Sequence, residues 1–393
     1  MHNSIIICTT YPLPENIGGN MRTMNYVRAL STLGRVDIAY TNNSEHAKTD
    51  ERIFSKKYYL DRETYPTDTL KRLYYALQGI PFPINIFRGQ EKTQIVELIN
   101  SGYYENVLIR YMQNTSIVKE IKEAHKRKVI VDVDDMVTAS LYETLFYETT
   151  SRIKSYKRLI NKILLNKYYE KIIRRFRTVF CSESDRALYA RKGSSAFVVP
   201  NIYENDEMVK QRFRHGHNNG HVLLFVGTLN YYPNVRGLKW FVETIYAQYS
   251  ATYNGAKLLV VGRAPLDEVK NICSGYAGIE LHADADSIIP YYEAAKAIVV
   301  PILEGGGTRI KILEAGMTNR PVLSTPMGAY GLDLEEGKDI LFFENVEEFM
   351  TKYKKLLNRE YYNMVSDNMK NIVMRKYSRK SFDNAFYSIL RTS

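Results

Sequence analysis

Short apolar runs rich in β-branched residues recur along this chain with helical patterning between them. In the first half they are Ile5–Cys8, Val36–Tyr40, Val107–Ile109, Val129–Val133, Val179–Cys181 and Ala196–Val199. In the second half they are Val222–Val226, Leu258–Val261, Ile279–Leu281, Ala297–Val300, Val322–Ser324 and Ile340–Phe343. Continuous apolar strands alternating with helices are buried on both faces, which calls for parallel sheets covered by helices on each side. The expected class is α/β, with two Rossmann-like, doubly wound domains of about six strands each, facing a cleft. A length of 393 residues suits two cores better than one. The break falls in the polar stretch Ile202 to His221, which has no apolar period, so the first domain is expected to span residues 1–201. Ligands of such domains bind outside the carboxyl ends of the strands.

The net charge of +11 points to an anionic partner. Nucleic acid is not expected, because no reading motif accompanies the basic residues. Cys8, Cys181 and Cys273 are odd in number and far apart, which fits buried thiols in a reducing compartment. No apolar run approaches the ~20 residues that span a bilayer. The N-terminus, Met1-His-Asn-Ser-Ile-Ile-Ile-Cys8, lacks the basic region of a signal peptide. The expected location is cytoplasmic, or peripheral on the inner face of the cell membrane. Arg152 to Arg177 is a basic amphipathic stretch in which Glu170 is the only acid. It reads either as a contact with an anionic membrane surface or as a crossover helix with one face in the core.

Five strand ends carry the candidate chemistry. After the first strand, Gly18 and Gly19 allow close backbone approach, Asn20 is a plausible N-cap, and Arg22 stands in a first helical turn, where the dipole does not favour it. Arg110 follows Val107–Ile109, where a ligand-facing residue would lie. Asp132, Asp134 and Asp135 repel one another unless cations or donors answer them. They are expected to face the cleft and orient an acceptor hydroxyl, with helix capping by Asp134 or Asp135, or a metal shared by Asp132 and Asp134, as the alternatives. In the second half, Gly227, Thr228, Asn230 and Arg236 follow one strand, and Gly262 and Arg263 follow another. Both groups suit phosphate oxygens. The fifth is the loop Gly305, Gly306, Gly307, Thr308, Arg309, which leads into a helix carrying Glu314. Bare N–H groups at a helix start stabilise a diphosphate, and Glu314 is far enough along to meet a ribose hydroxyl. The alternative for Glu314 is an exposed ion pair with Lys311.

These residues, together with Arg320-Pro-Val-Leu-Ser, Tyr232-Pro-Asn-Val and Pro200-Asn201, make the chain resemble the family 4 retaining glycosyltransferases of the GT-B fold. The resemblance implies an acceptor-binding first domain and a nucleotide-sugar-binding second domain at residues 202–376. Residues 377–393 would form a helix crossing back to the first domain. It implies transfer of a sugar from a nucleotide diphosphate sugar, with no cofactor beyond that co-substrate and no metal. Glu314 would contact the donor ribose, Gly307 and Thr308 the diphosphate or sugar, and Arg236 a phosphate. Many members carry a further glutamate eight positions before this one, with seven residues between the two, where this chain has Gly306. Thr228 stands where a cation commonly follows the strand glycine, and Arg309 or Arg263 would supply that charge.

The expected activity is a hexosyltransferase-type transfer to a glycan or lipid-linked acceptor in cell-surface polysaccharide biosynthesis. Glu314, Arg309, Arg236 and Asp134 would act in the reaction. A sugar-nucleotide epimerase of the same architecture and a non-catalytic GT-B partner subunit are the competing expectations.

Overall fold

The computed structural model describes residues 2–15, 18–42, 53–63, 74–75, 78–134, 152–203, 211, 213–304 and 310–392, with 152–159 as backbone only. The chain divides into two compact units, Met1–Pro200 with Phe382–Ser393, and Asn201–Ser381.

The first unit is built on a parallel sheet of seven strands: β1 (His2–Thr10), β2 (Gly34–Asn42), β3 (Lys57–Tyr59), β6 (Asn106–Arg110), β7 (Val129–Val133), β8 (Arg177–Phe180) and β9 (Ala196–Val198). Their order is β3-β2-β1-β6-β7-β8-β9. A short antiparallel pair, β4 (Asp61–Arg62) and β5 (Phe87–Arg88), stands apart. The second unit has six parallel strands: β10 (Val222–Val226), β11 (Lys257–Gly262), β12 (Ile279–Ala283), β13 (Ala297–Val300), β14 (Val322–Ser324) and β15 (Leu341–Phe342). Their order is β12-β11-β10-β13-β14-β15. Each sheet reverses direction once, between β1 and β6 and between β10 and β13, which is the doubly wound pattern with its ligand crevice at the switch. Central strands are buried on both faces. Val129–Val133 and Ala297–Val300 have no exposed residue, which explains their continuous apolar runs.

β3, β4 and β5 had no expected counterpart. They are two or three residues long and carry no period that patterning can detect. The first helix begins at Gly18, earlier than the sequence suggested. Asn20 therefore lies inside it, and its side-chain amide donates to the Pro14 carbonyl at 3.0 Å instead of capping.

The basic stretch is one helix, Arg152–Arg175, connecting β7 to β8. Leu165, Tyr168, Tyr169, Ile172, Ile173 and Phe176 from this segment are buried in the core of the first unit. Its apolar side is thus occupied, as a crossover helix requires. Among the described residues, no helix is long and apolar enough to cross a membrane. The final helix, Arg379–Arg391, packs on the first. Phe382 and Phe386 place their rings 5.0 and 4.8 Å from that of Tyr26. Arg177 donates to the Ile389 carbonyl at 2.9 Å.

Glycine is demanded where β10 and β11 end. A Cβ on Gly262 would stand 1.7 Å from the Gly227 carbonyl oxygen, backbone against backbone. Gly262→Ala is expected to lower the melting temperature through about 1–3 kcal/mol of overpacking. An unchanged melting curve would contradict this packing.

Candidate functional site

In the first unit, strand alternation puts Arg110, Asp132 and Cys8 on the side of the sheet covered by the helix Gly18–Ser31. Asp132 is fully buried. Arg22 grips it through Nε (3.0 Å to Oδ2) and Nη2 (2.6 Å to Oδ1), Tyr26 donates to Oδ1 at 2.7 Å, and Arg110 Nη1 donates to Oδ2. Arg110 also reaches Asp134 at 2.9 Å, Thr23 at 3.0 Å and the Gly19 carbonyl at 3.0 Å. Arg22 donates to the Val199 carbonyl at 2.9 Å. Burial opposes ionisation of Asp134, but Arg110 and Arg22 prevail and hold its carboxyl below its ordinary value.

This arrangement corrects the expectation that Asp132 faces an open ligand site. Asp132, Arg22 and Arg110 are 0%, 1% and 0% exposed, and each is committed to the others. Arg22, expected in a first turn, is instead the fifth residue of the helix Gly18–Ser31, and its guanidinium answers a buried carboxylate from β7. Asp134 keeps a small exposed edge, 13% of its side chain. Gly18 is exposed and Gly19 half-buried. A Cβ on Gly19 would meet the Tyr111 hydroxyl at 2.2 Å, so the loop is held close against β6. Asp135 lies outside the described residues. Among the described residues no cluster of His, Cys, Asp and Glu suits a metal ion. All three cysteines are free and buried, and burial pushes the Cys8 thiol up to about 12 and the Cys273 thiol up to about 11.

In the second unit, side chains converge at the carboxyl ends of β10 and β13, the switch point. Asn234 is buried and donates to the Thr228 carbonyl at 2.9 Å, while its Oδ1 accepts from Lys311 Nζ at 2.8 Å. Lys311 also lies 5.0 Å from the Phe225 ring centroid. Arg236 donates to Glu304 at 2.8 Å and remains 37% exposed. Gly227 sits beneath this group, where a Cβ would come 2.7 Å from Asn234 and 3.1 Å from Lys311. Thr228, Asn230 and Arg263 are exposed at the rim, and Gly262 is half-buried. Gly237 lets the helix Tyr232–Phe241 approach the end of β13, since a Cβ there would lie 2.3 Å from the Pro301 carbonyl oxygen.

Glu314 stands in the helix Ile310–Gly316 and is only 8% exposed. Tyr203 donates to its Oε1 at 2.6 Å and Tyr292 to its Oε2 at 2.8 Å. The exposed Lys311 ion pair is therefore not what the structure has. Burial raises the Glu314 carboxyl above its ordinary value, against the pull of the two tyrosine donors. Each carboxylate oxygen has a second lone pair, so each can accept a further hydroxyl. Gly305, Gly306, Gly307, Thr308 and Arg309 lie outside the described residues. Arg320, part of the motif, is buried and spends its donors on the carbonyls of Ala295, Glu293 and Thr318 at 2.6 to 2.9 Å, so it braces the strand.

Sequence reasoning missed Asn234 and Lys311 as a linked pair, and the two tyrosines on Glu314. Asn234 had a visible signal, a short polar residue at a helix start after a glycine-ended strand. Tyr203 and Tyr292 are remote from Glu314 in sequence, and only the folded chain joins them.

Residues 220–359 match the family model described as glycosyl transferases group 1. An uncharacterized 44.6 kDa protein in the cps region of Klebsiella pneumoniae is 24% identical over 410 residues, covering 100% of both chains. Among solved structures, a glycosyltransferase from Rickettsia africae superposes with a TM-score of 0.69 at 12% identity, covering 100% of this chain and 99% of its own. Anabaena HepE in complex with UDP and glucose does so with a TM-score of 0.66 at 10% identity, covering 100% of both. The fold is GT-B, with two Rossmann-like domains.

Proposed function

We propose that this chain is a glycosyltransferase. It moves a sugar, with retention, from a nucleotide diphosphate sugar to a glycan or lipid-linked acceptor in the assembly of a cell-surface polysaccharide. The observation that carries the reading is the buried carboxylate of Glu314, braced by Tyr203 and Tyr292 and lying within the charge of Lys311, with Glu314, Tyr292 and Lys311 inside the segment matching the group 1 glycosyl transferases. A neighbour crystallised with UDP and glucose supports a nucleotide sugar as donor, and a relative from a cps region supports the polysaccharide role.

In this reading Glu314 accepts the ribose hydroxyls through its remaining lone pairs. The N–H groups of the loop through Gly307 and Thr308 hold the diphosphate at the helix start. Arg236 exchanges Glu304 for a phosphate oxygen, and Arg309 adds a second cation. Together they stabilise the departing nucleoside diphosphate, and the stabilisation is larger in the transition state, where that charge develops. The acceptor is assigned to the first unit, at Gly18, Gly19 and the exposed edge of Asp134. The basic side of the helix Arg152–Arg175 faces an anionic membrane surface on the cytoplasmic side.

A screen of nucleotide sugars with released nucleoside diphosphate as the readout tests the proposal. One donor class is expected to give release that depends on an acceptor. An isomerised sugar nucleotide, formed without acceptor and without release, would identify an epimerase instead. No calorimetric binding of UDP, GDP or ADP would identify a non-catalytic subunit.

A further inference from the structure

The first unit contains a pocket of about 490 Å³ whose lining includes none of the candidate site residues. One wall is the helix Arg152–Arg175, whose residues line it in two adjacent rows four residues apart. Leu164, Tyr168, Ile172 and, just beyond the helix, Phe176 form an apolar row, and Lys167, Lys171 and Arg175 a basic one. Facing them are Pro81 and Val118, with Lys119 and Lys126 at the margin.

The cations outnumber their answers. Glu123 pairs with Lys126 at 2.7 Å and Arg175 at 2.6 Å, and Lys119 donates to the Gln78 carbonyl at 2.6 Å. Among the described residues, Lys167 and Lys171 have no ion pair or hydrogen bond. Burial, together with the charge of Lys171, lowers Lys119 below its ordinary value, so these ammonium groups crowd one another. A helix dipole accounts for basic residues in the last turn but not for Lys167, two turns earlier. The core takes the apolar row's inner side, and a purely solvated basic face needs no concave apolar floor.

The position is also informative. Phe176 immediately precedes β8, and Lys126 lies shortly before β7, so the pocket opens toward the amino ends of these strands. Gly18, Gly19 and Asp134 lie at the carboxyl ends. The pocket is therefore separate from the proposed acceptor residues.

We propose that this pocket binds a single acidic lipid, its phosphate held by Lys167, Lys171 and Lys119 and the first carbons of its chain laid against Tyr168 and Ile172. A phosphate supplies the missing countercharge, and an attached chain covers the apolar floor. The proposal deepens the membrane reading above and rests on it. It replaces a diffuse attraction between a basic helix and a charged surface with a stoichiometric site.

The test uses the full chain without donor. Calorimetry with water-soluble dihexanoyl phosphatidate is expected to give one site, and inorganic phosphate to bind at least about tenfold more weakly because it lacks the chain. Lys167→Ala with Lys171→Ala is expected to weaken phosphatidate binding about tenfold or more. Arg174→Ala with Lys192→Ala removes the same charge outside the pocket and is expected to change it by less than about twofold. Equal losses in the two double variants, or equal affinity for phosphate and phosphatidate, would overturn the site. Flotation with phosphatidylcholine vesicles containing phosphatidylglycerol separates the two levels. Flotation without phosphatidate binding discards the pocket and keeps the membrane reading, and failure of both discards both.

Discussion

Asp132→Ala is expected to destabilise the first unit by about 3–5 kcal/mol, the usual cost of leaving a buried charge without its partner. Two guanidinium groups depend on that carboxylate, and both are buried. Asp134 answers Arg110 but reaches Arg22 only at 3.8 Å. Asp132→Asn keeps one acceptor oxygen and should lose less. Chemical unfolding followed by circular dichroism measures the effect. The only tryptophan, Trp240, lies in the second unit, so its fluorescence separates that unit's transition from the first. A loss below about 1 kcal/mol would mean the cluster relaxes and rehydrates. The same cluster predicts acid sensitivity. Asp134's carboxyl is held below its ordinary value, so its contribution is complete above its unfolded pKa of about 4 and disappears as pH falls through the lower, folded value.

The second large effect is on turnover. Glu314→Ala and Arg309→Ala are each expected to reduce nucleotide-sugar turnover by about 10²–10³-fold while the protein remains folded. Removing Glu314 strands the hydroxyls of Tyr203 and Tyr292, so a modest loss of stability accompanies it. Glu314→Gln, which keeps the volume and one acceptor, should lie between wild type and alanine. Near-normal turnover in both alanine variants would remove these residues from the site.

The strand pattern was legible because parallel strands buried on both faces leave unbroken β-branched runs, as in Val129–Val133 and Ala297–Val300. The edge strand Lys57–Tyr59 was not, because an edge needs no apolar run and three residues show no period. At the candidate site, glycines at strand ends were visible, since a sharp strand-to-helix turn leaves a compositional mark. The partners of those residues were not. That Arg22 serves Asp132, 110 positions away, is a product of topology and is invisible to local spacing. The same holds for Tyr292 and Glu314: the glutamate was visible in the sequence, and its tyrosine partner only in the fold.

The closing helix has a consequence for how the protein is made. Tyr26 is made before the second unit, yet its ring is covered by Phe382 and Phe386, which are made after it. The first unit can gather its sheet early but cannot finish its core until Phe382 and Phe386 emerge, whereas the second has all of its residues before then. A nascent chain stalled anywhere in the second unit therefore leaves the Tyr26 ring uncovered, and a premature stop that removes Phe382 and Phe386 damages the first unit rather than the second.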